Sequence, residues 1–169
     1  MAMDDLPLVR RWLLEPHVRR WWDNGGHADF PEGDLEERRM AMRGEDPTDH
    51  FVIELDGRPI GDIQSYRTLD HPDYIAEIGI TDPAFGIDLY VGEADLIGRG
   101  LGPRILRAFI RDVAWPRYGI DLCLIGPTRS NTSAIRAYEK AGFRFLKMYD
   151  EPETTEPEHY LMELRVRDL

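Results

Sequence analysis

The chain has 169 residues, a formal net charge of −11 at neutral pH and a single cysteine, Cys123. This length suits one domain built on one hydrophobic core, which we expect to span residues 1–169. The acidic balance argues against a nucleic-acid partner and suits a cationic small molecule. The lone cysteine excludes a disulfide framework and a thiolate metal cluster. Because the sequence shows no signal peptide and no apolar run long enough to cross a membrane, we expect a cytoplasmic protein without a membrane partner.

The amino-terminal part of the chain has the spacing of helices. Apolar residues recur at helical intervals across residues 4–14, at Leu6, Val9, Trp12 and Leu13. Further helices are predicted over residues 17–22 and 34–43. Trp21 and Trp22 meet a loop signal, so one ring is expected to pack inward while the other can face a cleft. The histidines lack metal-ligand spacing, and no metal site is predicted.

From Phe51 the apolar period changes to two, which is typical of strands. Two strands flank the hairpin signal Asp56-Gly57. Strands are predicted over residues 51–55, 59–66, 74–80, 86–91, 122–125, 143–149 and 158–166, with an acidic loop at 150–157. Helices are expected after the glycines near residue 100 and after Asn131. This order predicts an α/β (α+β) protein with a mixed sheet and helices on both faces.

A glycine-rich stretch, Ile97-Gly98-Arg99-Gly100-Leu101-Gly102, precedes an apolar helical run that contains Pro103 in its first turn. The glycines let the backbone bend and approach a ligand, and the start of a helix directs free N–H groups towards an anion. The spacing fits neither a dinucleotide fingerprint, which has glycine where Pro103 stands, nor a P-loop. The stretch therefore predicts a binding site for a phosphate-bearing ligand, the alternative being a plain turn.

Residues 131–143 read Asn-Thr-Ser-Ala-Ile-Arg-Ala-Tyr-Glu-Lys-Ala-Gly-Phe, a helix with Asn131 as N-cap and Gly142 at its end. Paired with the glycine turn, this segment resembles the GNAT acetyltransferase superfamily. Other motifs resemble one branch of it, the aminoglycoside 6′-N-acetyltransferases. These motifs are Trp21-Trp22, Pro59-Ile60-Gly61, Gln64-Ser65-Tyr66, Thr81-Asp82-Pro83 and Gly86-Ile87-Asp88.

The resemblance implies the GNAT fold, a mostly antiparallel mixed sheet whose splayed middle strands hold acetyl-CoA as co-substrate. It implies cofactor contacts from the backbone of Leu89, Tyr90 and Val91, from Arg99, Gly100, Leu101, Gly102, Pro103 and Arg104 in the turn, and from Asn131, Ala134, Arg136 and Tyr138 in the second helix. The chain departs from the superfamily in two places. Ile97 stands where Arg or Gln is usual, and the helix-entry pattern at Asp4 leaves the first strand missing or very short.

Acetyl transfer to an amine requires the free amine, yet a primary amine with a pKa of about 10.4 is almost wholly protonated at neutral pH. The resemblance implies that Asp88 takes this proton, directly or through a water, and that Tyr138 protonates the leaving thiolate. It places Trp22, Tyr66, Asp82 and Asp88 around the acceptor. The alternatives are a strand-edge aspartate for Asp88, a packing role for Tyr138 and a turn-forming role for Asp82.

The expected reaction is acetylation of a cationic small molecule, the 6′-amine of an aminoglycoside, which would confer antibiotic resistance. Two alternatives share the fold: a siderophore precursor or a protein N-terminus as the acceptor. A third is a non-catalytic acyl-CoA-binding domain, which would keep the glycine turn without needing Asp88 and Tyr138. The sequence leaves the acceptor open, and it is compatible with a monomer or a homodimer.

Overall fold

The computed structural model describes residues 1–23, 28–151 and 154–169. The first half contains α1 (Leu6–Leu13), α2 (Pro16–Trp22), α3 (Glu32–Met42), β1 (Asp49–Leu55), β2 (Arg58–Arg67), α4 (Pro72–Ile78) and β3 (Phe85–Val91). The second half contains α5 (Leu101–Phe109), a π-helical turn (Ile110–Ala114), α6 (Trp115–Tyr118), β4 (Leu122–Ile125), α7 (Thr132–Ala141), β5 (Arg144–Asp150) and β6 (Glu158–Arg165). Within these ranges no helix is both long and apolar enough to span a membrane.

The strands form one six-stranded sheet in the order β1-β2-β3-β4-β6-β5. All neighbours are antiparallel except β3 and β4, which are parallel. β3 pairs with β2 along its whole length, but it pairs with β4 only through Phe85 and Gly86. Beyond Gly86 the two strands separate and leave what we call the β3–β4 gap. The mixed, mostly antiparallel sheet with splayed middle strands is therefore confirmed.

Helices cover both faces of the sheet, as predicted. On one face, α5, the π-helical turn and α7 pack over the largest core cluster, which includes Ile87, Leu106 and Ile110. On the other face, α1 to α3 enclose a second cluster around Trp12 and Leu35, while α4 covers a third. Because side chains alternate along β3, Ile87 faces the first layer whereas Asp88 and Tyr90 face the second.

The strand predicted over residues 74–80 is wrong, because most of this segment forms α4. Pro72 stands in the first turn, where its missing N–H costs nothing, and Gly79 ends the helix in the left-handed region with φ of +59°. Between them, Tyr74 and Ile78 lie four residues apart on one helical face and join the third core cluster. The β-branched and aromatic residues of this run favour a strand by propensity, but these helix-end signals prevail.

Before α1 the chain forms a short 3₁₀ turn, Met3–Asp5, and no strand precedes α1 in residues 1–23. The α-amino group of Met1 donates a hydrogen bond to the carbonyl of His50 on β1, at 3.1 Å. Because no described strand pairs with its other side, β1 is an edge strand of the sheet.

Candidate functional site

A cavity of about 300 Å³ opens where β3 and β4 separate, and we call it the central cavity. Residues of α2, α4, α7, the sheet and the segment after β4 form its wall. The lining residues are Trp21, Trp22, Gln64, Tyr66, Tyr74, Asp88, Leu89, Ile125, Gly126, Pro127, Thr128, Asn131, Tyr138, Tyr149, Glu151 and His159. The fold thus concentrates aromatic rings and carboxylates at the place where β3 and β4 separate.

Asp88 on β3 is half-buried, enclosed by protein yet reachable from the cavity. Gln64 lies opposite it in the β2–β3 register, and its Nε2 donates a hydrogen bond to Asp88 Oδ2 at 3.0 Å. Burial raises the pKa of Asp88, the Gln64 hydrogen bond opposes this rise, and the Glu151 carboxylate adds to it. A carboxylate with a raised pKa is a stronger base than an ordinary surface aspartate.

Tyr138 on α7 lines the same cavity, so the structure brings the two predicted catalytic side chains together. Burial raises the pKa of its phenol, and the Asp88 carboxylate raises it further. The hydroxyl therefore stays protonated at neutral pH, as a proton donor must. The ring centroid lies 6.2 Å from that of Phe143, so the side chain also packs against the core.

Trp22 and Tyr66, predicted to bind the acceptor, both lie in the cavity wall. The Trp22 indole Nε1 donates a hydrogen bond to Asp34 Oδ1 at 2.7 Å, and the Tyr66 ring packs edge-on against Tyr74 with centroids 5.9 Å apart. Both members of the Trp21-Trp22 pair face the cavity. The loop predicted after them lies mostly outside the described residues. Asp82, in contrast, is exposed in the turn before β3 and does not line the cavity, so its substrate role stays a prediction.

The glycine turn has the open backbone expected of an anion cradle. Gly98 and Gly100 have φ of +75° and +70°, and a Cβ built at either would meet no atom within 4 Å. Gly100 is the N-cap of α5, so the first N–H groups of that helix have no partner within the helix. Pro103 lies in the first turn, as predicted. These features fit a pyrophosphate held by backbone N–H groups.

Four further residues predicted to contact the cofactor lie in this turn or at the start of α5, and Arg136 lies on α7. Gly102 lies against α7, since a Cβ there would contact the Ala137 Cβ at 3.5 Å. Leu101 is buried, whereas Arg99, Arg104 and Arg136 are exposed and have no ion pair among the residues that the structure describes. The arginines are therefore available to an anionic ligand.

The backbone of β3 presents alternate residues to the β3–β4 gap. The Gly92 N–H donates to the Ile60 carbonyl at 2.8 Å, and the alternation of an antiparallel ladder then directs the backbone of Tyr90 towards β2. Leu89 and Val91 direct theirs towards the gap, where the Val91 carbonyl accepts a hydrogen bond from His17 Nε2 at 3.0 Å. The structure thus separates Tyr90 from the other two predicted backbone contacts.

The helix of the second motif has the predicted caps. Asn131 Oδ1 accepts a hydrogen bond from the Ala134 N–H at 3.1 Å, and Gly142 ends α7 with φ of +110°. Asn131 also lines the central cavity, whereas Ala134 is half-buried. The side-chain amide of Asn131 therefore has a structural role at the start of α7, in addition to any contact with a ligand.

Several cavity residues could not be selected from the sequence. Glu151 brings a second carboxylate into the wall, and His159, to which no role was assigned, is buried beside it. His159 Nε2 lies 3.3 Å from Glu151 Oε2 and 3.3 Å from Thr128 Oγ1. The only signal was the acidic composition of residues 150–157, of which 152 and 153 lie outside the described residues. Strand register, rather than a local motif, brings this loop to the cavity.

The family model for the acetyltransferase (GNAT) domain matches residues 2–151. The chain therefore belongs to the GNAT acetyltransferase family, in agreement with the splayed sheet, the glycine turn and the cavity between them. Within this family it is a homologue of aminoglycoside 6′-N-acetyltransferases. It is 34% identical over 146 residues to aminoglycoside N(6′)-acetyltransferase type 1 of Klebsiella pneumoniae, covering 85% of this chain and 71% of that protein.

Solved structures agree with this assignment. The structure of AAC(6′)-Ib in complex with ribostamycin and coenzyme A superposes with a TM-score of 0.84 at 29% identity, covering 99% of this chain and 91% of that one. The same protein with coenzyme A and kanamycin gives a TM-score of 0.82 at 29% identity, covering 99% and 92%. A lysine N-acyltransferase, MbtK of Mycolicibacterium paratuberculosis, is 26% identical over 151 residues, covering 88% of this chain and 65% of that protein.

Proposed function

We propose that this protein transfers the acetyl group of acetyl-CoA to the 6′-amine of an aminoglycoside, a modification that confers antibiotic resistance. The observation that carries the proposal is the meeting of Asp88 and Tyr138 in a cavity rich in aromatic rings and carboxylates, at the β3–β4 gap. The relatives crystallised with coenzyme A and aminoglycosides support it. The acceptor class suits the site, because a polycation with hydrophilic rings pairs with carboxylates and stacks on aromatic faces.

Acetyl-CoA supplies an acetyl group activated as a thioester. We assign its pyrophosphate to the N–H groups of the Gly98–Gly102 turn and the start of α5, with Leu101, Pro103, Arg99 and Arg104 around it. The pantetheine arm would lie along the backbone of Leu89 and Val91. On the far side the contacts come from α7, at Asn131, Ala134, Arg136 and Tyr138.

Asp88 removes one proton from the substrate ammonium group, directly or through a water, and so frees a lone pair on nitrogen. The C–N bond then forms as the C–S bond breaks, and nitrogen loses its second proton to solvent. Tyr138 donates its hydroxyl proton to the departing sulfur and is reprotonated from solvent, while Asp88 releases the proton that it took to solvent. The balance is one ammonium and one thioester giving one amide, one thiol and one released proton.

The acceptor wall combines Trp22 and Tyr66 with the carboxylates of Asp88 and Glu151. The enclosed carboxylate of Asp88 pairs with a substrate ammonium group more strongly than a solvent-exposed one does. Asp82, which is exposed, is assigned only the weaker role of attracting the polycation at the surface. We further infer that residues 1–169 act as one acetyltransferase domain, in the cytoplasm where acetyl-CoA is available.

A second candidate acceptor is a lysine-type amine of a siderophore precursor. The similarity to the lysine N-acyltransferase favours it, since the same carboxylates would accept a single ammonium group. A protein N-terminus and a purely acyl-CoA-binding role receive less support, the latter because binding alone does not need Asp88 and Tyr138.

The direct test is thiol release from acetyl-CoA over a panel of acceptors: aminoglycosides, polyamines, lysine-type siderophore precursors and N-terminal peptides. The proposal expects the highest kcat/KM for aminoglycosides that carry a 6′-amine. Faster turnover of a siderophore precursor or a peptide would replace it with that alternative. Binding of acetyl-CoA without turnover of any acceptor would support the non-catalytic role.

A further inference from the structure

Three contacts from outside the cavity fix the indole of Trp22. Its Nε1 donates to Asp34 Oδ1 on α3 at 2.7 Å. The guanidinium carbon of Arg38 lies 5.8 Å from the Trp22 ring centroid, and the Tyr90 ring packs against it nearly perpendicularly, with centroids 4.7 Å apart. The ring therefore forms part of the cavity wall while most of its orientation is determined behind that wall.

The groups that hold Trp22 belong to one buried network of charges. The Arg38 side chain is 1% exposed and that of Asp62 is 0% exposed. Arg38 Nε donates to Asp62 Oδ2 at 3.1 Å, and Arg38 Nη1 donates to the Asp34 carbonyl at 3.0 Å and to the Asp34 carboxylate. Trp22, α3 and β2 are thereby connected through a single guanidinium.

Burying this network is costly. Burial raises the pKa of Asp62 to about 6, although Arg38 opposes the rise, and it raises the pKa of Asp34 as well. Arg38 Nη2, Asp62 Oδ1 and the Tyr90 hydroxyl are buried without a hydrogen-bond partner among the described residues. Replacing a buried ion pair by well-packed apolar residues often leaves a protein equally stable. Stability alone therefore does not account for three charged side chains here. A positional role accounts for them better.

We propose that Asp34, Arg38 and Asp62 are positioning residues that hold Trp22 at the angle at which its face contacts the acceptor. The effect of the network on acceptor binding rests on the proposed acetylation. The orientation of the Trp22 ring by the network does not depend on that proposal. Asp34 acts directly through the indole N–H, and Asp62 acts by holding the Arg38 guanidinium between Asp34 and the ring. The network therefore affects acceptor binding without touching either substrate.

The test compares Asp34→Ala, Asp34→Asn and Trp22→Phe, with Glu36→Ala as a control on the exposed face of α3. Asn keeps an oxygen that accepts from the indole, whereas Ala does not. Asp34→Ala is expected to raise the acceptor KM about tenfold or more, the effect of losing one hydrogen bond to a charged group, while kcat and the KM for acetyl-CoA stay unchanged. Asp34→Asn should restore most of the loss. In the Trp22→Phe background, Asp34→Ala should add nothing.

Acrylamide quenching gives a readout that needs no acceptor. The signal of Trp22 is the difference between the wild type and Trp22→Phe, and Asp34→Ala should make that signal more readily quenched, whereas Glu36→Ala should not. Unchanged quenching, or an Asp34→Ala effect on KM that persists in Trp22→Phe, would overturn the proposal. A wild type that acetylates no aminoglycoside would refute the proposed function, and quenching would still decide whether the network fixes the ring.

Discussion

Burial of Asp88 and Tyr138 in the same cavity has a different chemical consequence for each of the two proposed catalytic groups. It raises the pKa of both groups. For the carboxylate, the rise strengthens a base that must take a proton from an ammonium group. For the phenol, the rise keeps the proton that must be given to a thiolate. The same acidic pocket therefore keeps the Tyr138 hydroxyl protonated before the proposed reaction, although a phenol with a raised pKa is also a weaker acid.

Asp88→Asn is expected to lower kcat by about 10²–10⁴-fold while acetyl-CoA affinity is retained, because the amide cannot accept the proton. In the wild type, activity should rise with pH as Asp88 loses its proton, with a midpoint above the ordinary value of 3.8. A pH–rate profile of both proteins measures this, with the acetyl-CoA dissociation constant as control. Near-wild-type turnover in Asp88→Asn would eliminate it as the base.

Tyr138→Phe removes the hydroxyl and keeps the ring that packs near Phe143. We expect kcat to fall about 10²-fold or more, with a smaller change in either KM, because the thiolate loses its proton donor. Steady-state kinetics with a matched thermal unfolding curve separates chemistry from folding. A normal rate in a folded variant would remove Tyr138 from the mechanism.

Asp62→Asn tests the buried carboxylate through the pH dependence of stability. Because burial raises the pKa of Asp62 from 3.8 to about 6, the folded wild type gains stability as pH falls through this window, when Asp62 takes up a proton. The free energy of unfolding of Asp62→Asn relative to wild type should therefore increase as pH rises from about 4 to 6, and then level off. Urea unfolding at a series of pH values measures it. A flat or falling difference would contradict the raised pKa.

At the scale of elements, the glycine turn and the start of α5 form the proposed anion site, and the effect of a substitution on ligand binding there can be separated from its effect on backbone strain. Gly100 and Gly119 have nearly the same φ, +70° and +63°, and a Cβ on either would meet no atom within 4 Å. Gly119 ends α6, away from the proposed cofactor contacts. The chain thus contains its own matched control.

Gly100→Ala is expected to weaken acetyl-CoA binding severalfold or more, since the new Cβ occupies the space where a phosphate approaches the backbone. Gly119→Ala should cost similar stability, about 1 kcal/mol, and leave the affinity unchanged. Calorimetric titration with CoA measures both variants. Equal affinity in the two proteins would place the pyrophosphate elsewhere.

Elements with explicit end signals could be predicted from the sequence, and those without them could not. Asp56 and Gly57 have φ of +52° and +78°, as the hairpin signal requires, and α7 begins and ends at the residues whose types suggested it. The strand predicted over residues 74–80 is wrong because the helix-end signals Pro72 and Gly79 outweigh the strand propensity of the residues between them. The π-helical turn at Ile110–Ala114 was not predicted, although Pro116 follows it in α6 and a proline inside a helix removes one backbone hydrogen bond.

At the scale of the whole molecule, the site depends on tertiary arrangement. The two cofactor motifs and Asp88 could be found in the sequence because each resembles a family motif. Glu151 and the Asp34–Arg38–Asp62 network could not, because the register of β5 brings Glu151 to the cavity and the packing of α3 on β2 places the network behind the cavity wall. The net charge of −11 suggested a cationic partner, but only the fold distinguishes the enclosed carboxylate of Asp88 from the exposed one of Asp82.

The most direct test compares two aminoglycosides that differ only in bearing an amine or a hydroxyl at the 6′ position. Thiol release from acetyl-CoA should be rapid with the 6′-amine and absent, or slower by orders of magnitude, with the 6′-hydroxyl, because the proposed site delivers one amine to Asp88. Mass spectrometry of the product should show a single added acetyl group on the 6′ nitrogen. Equal rates with both compounds, or acetylation at another amine, would contradict the proposed function.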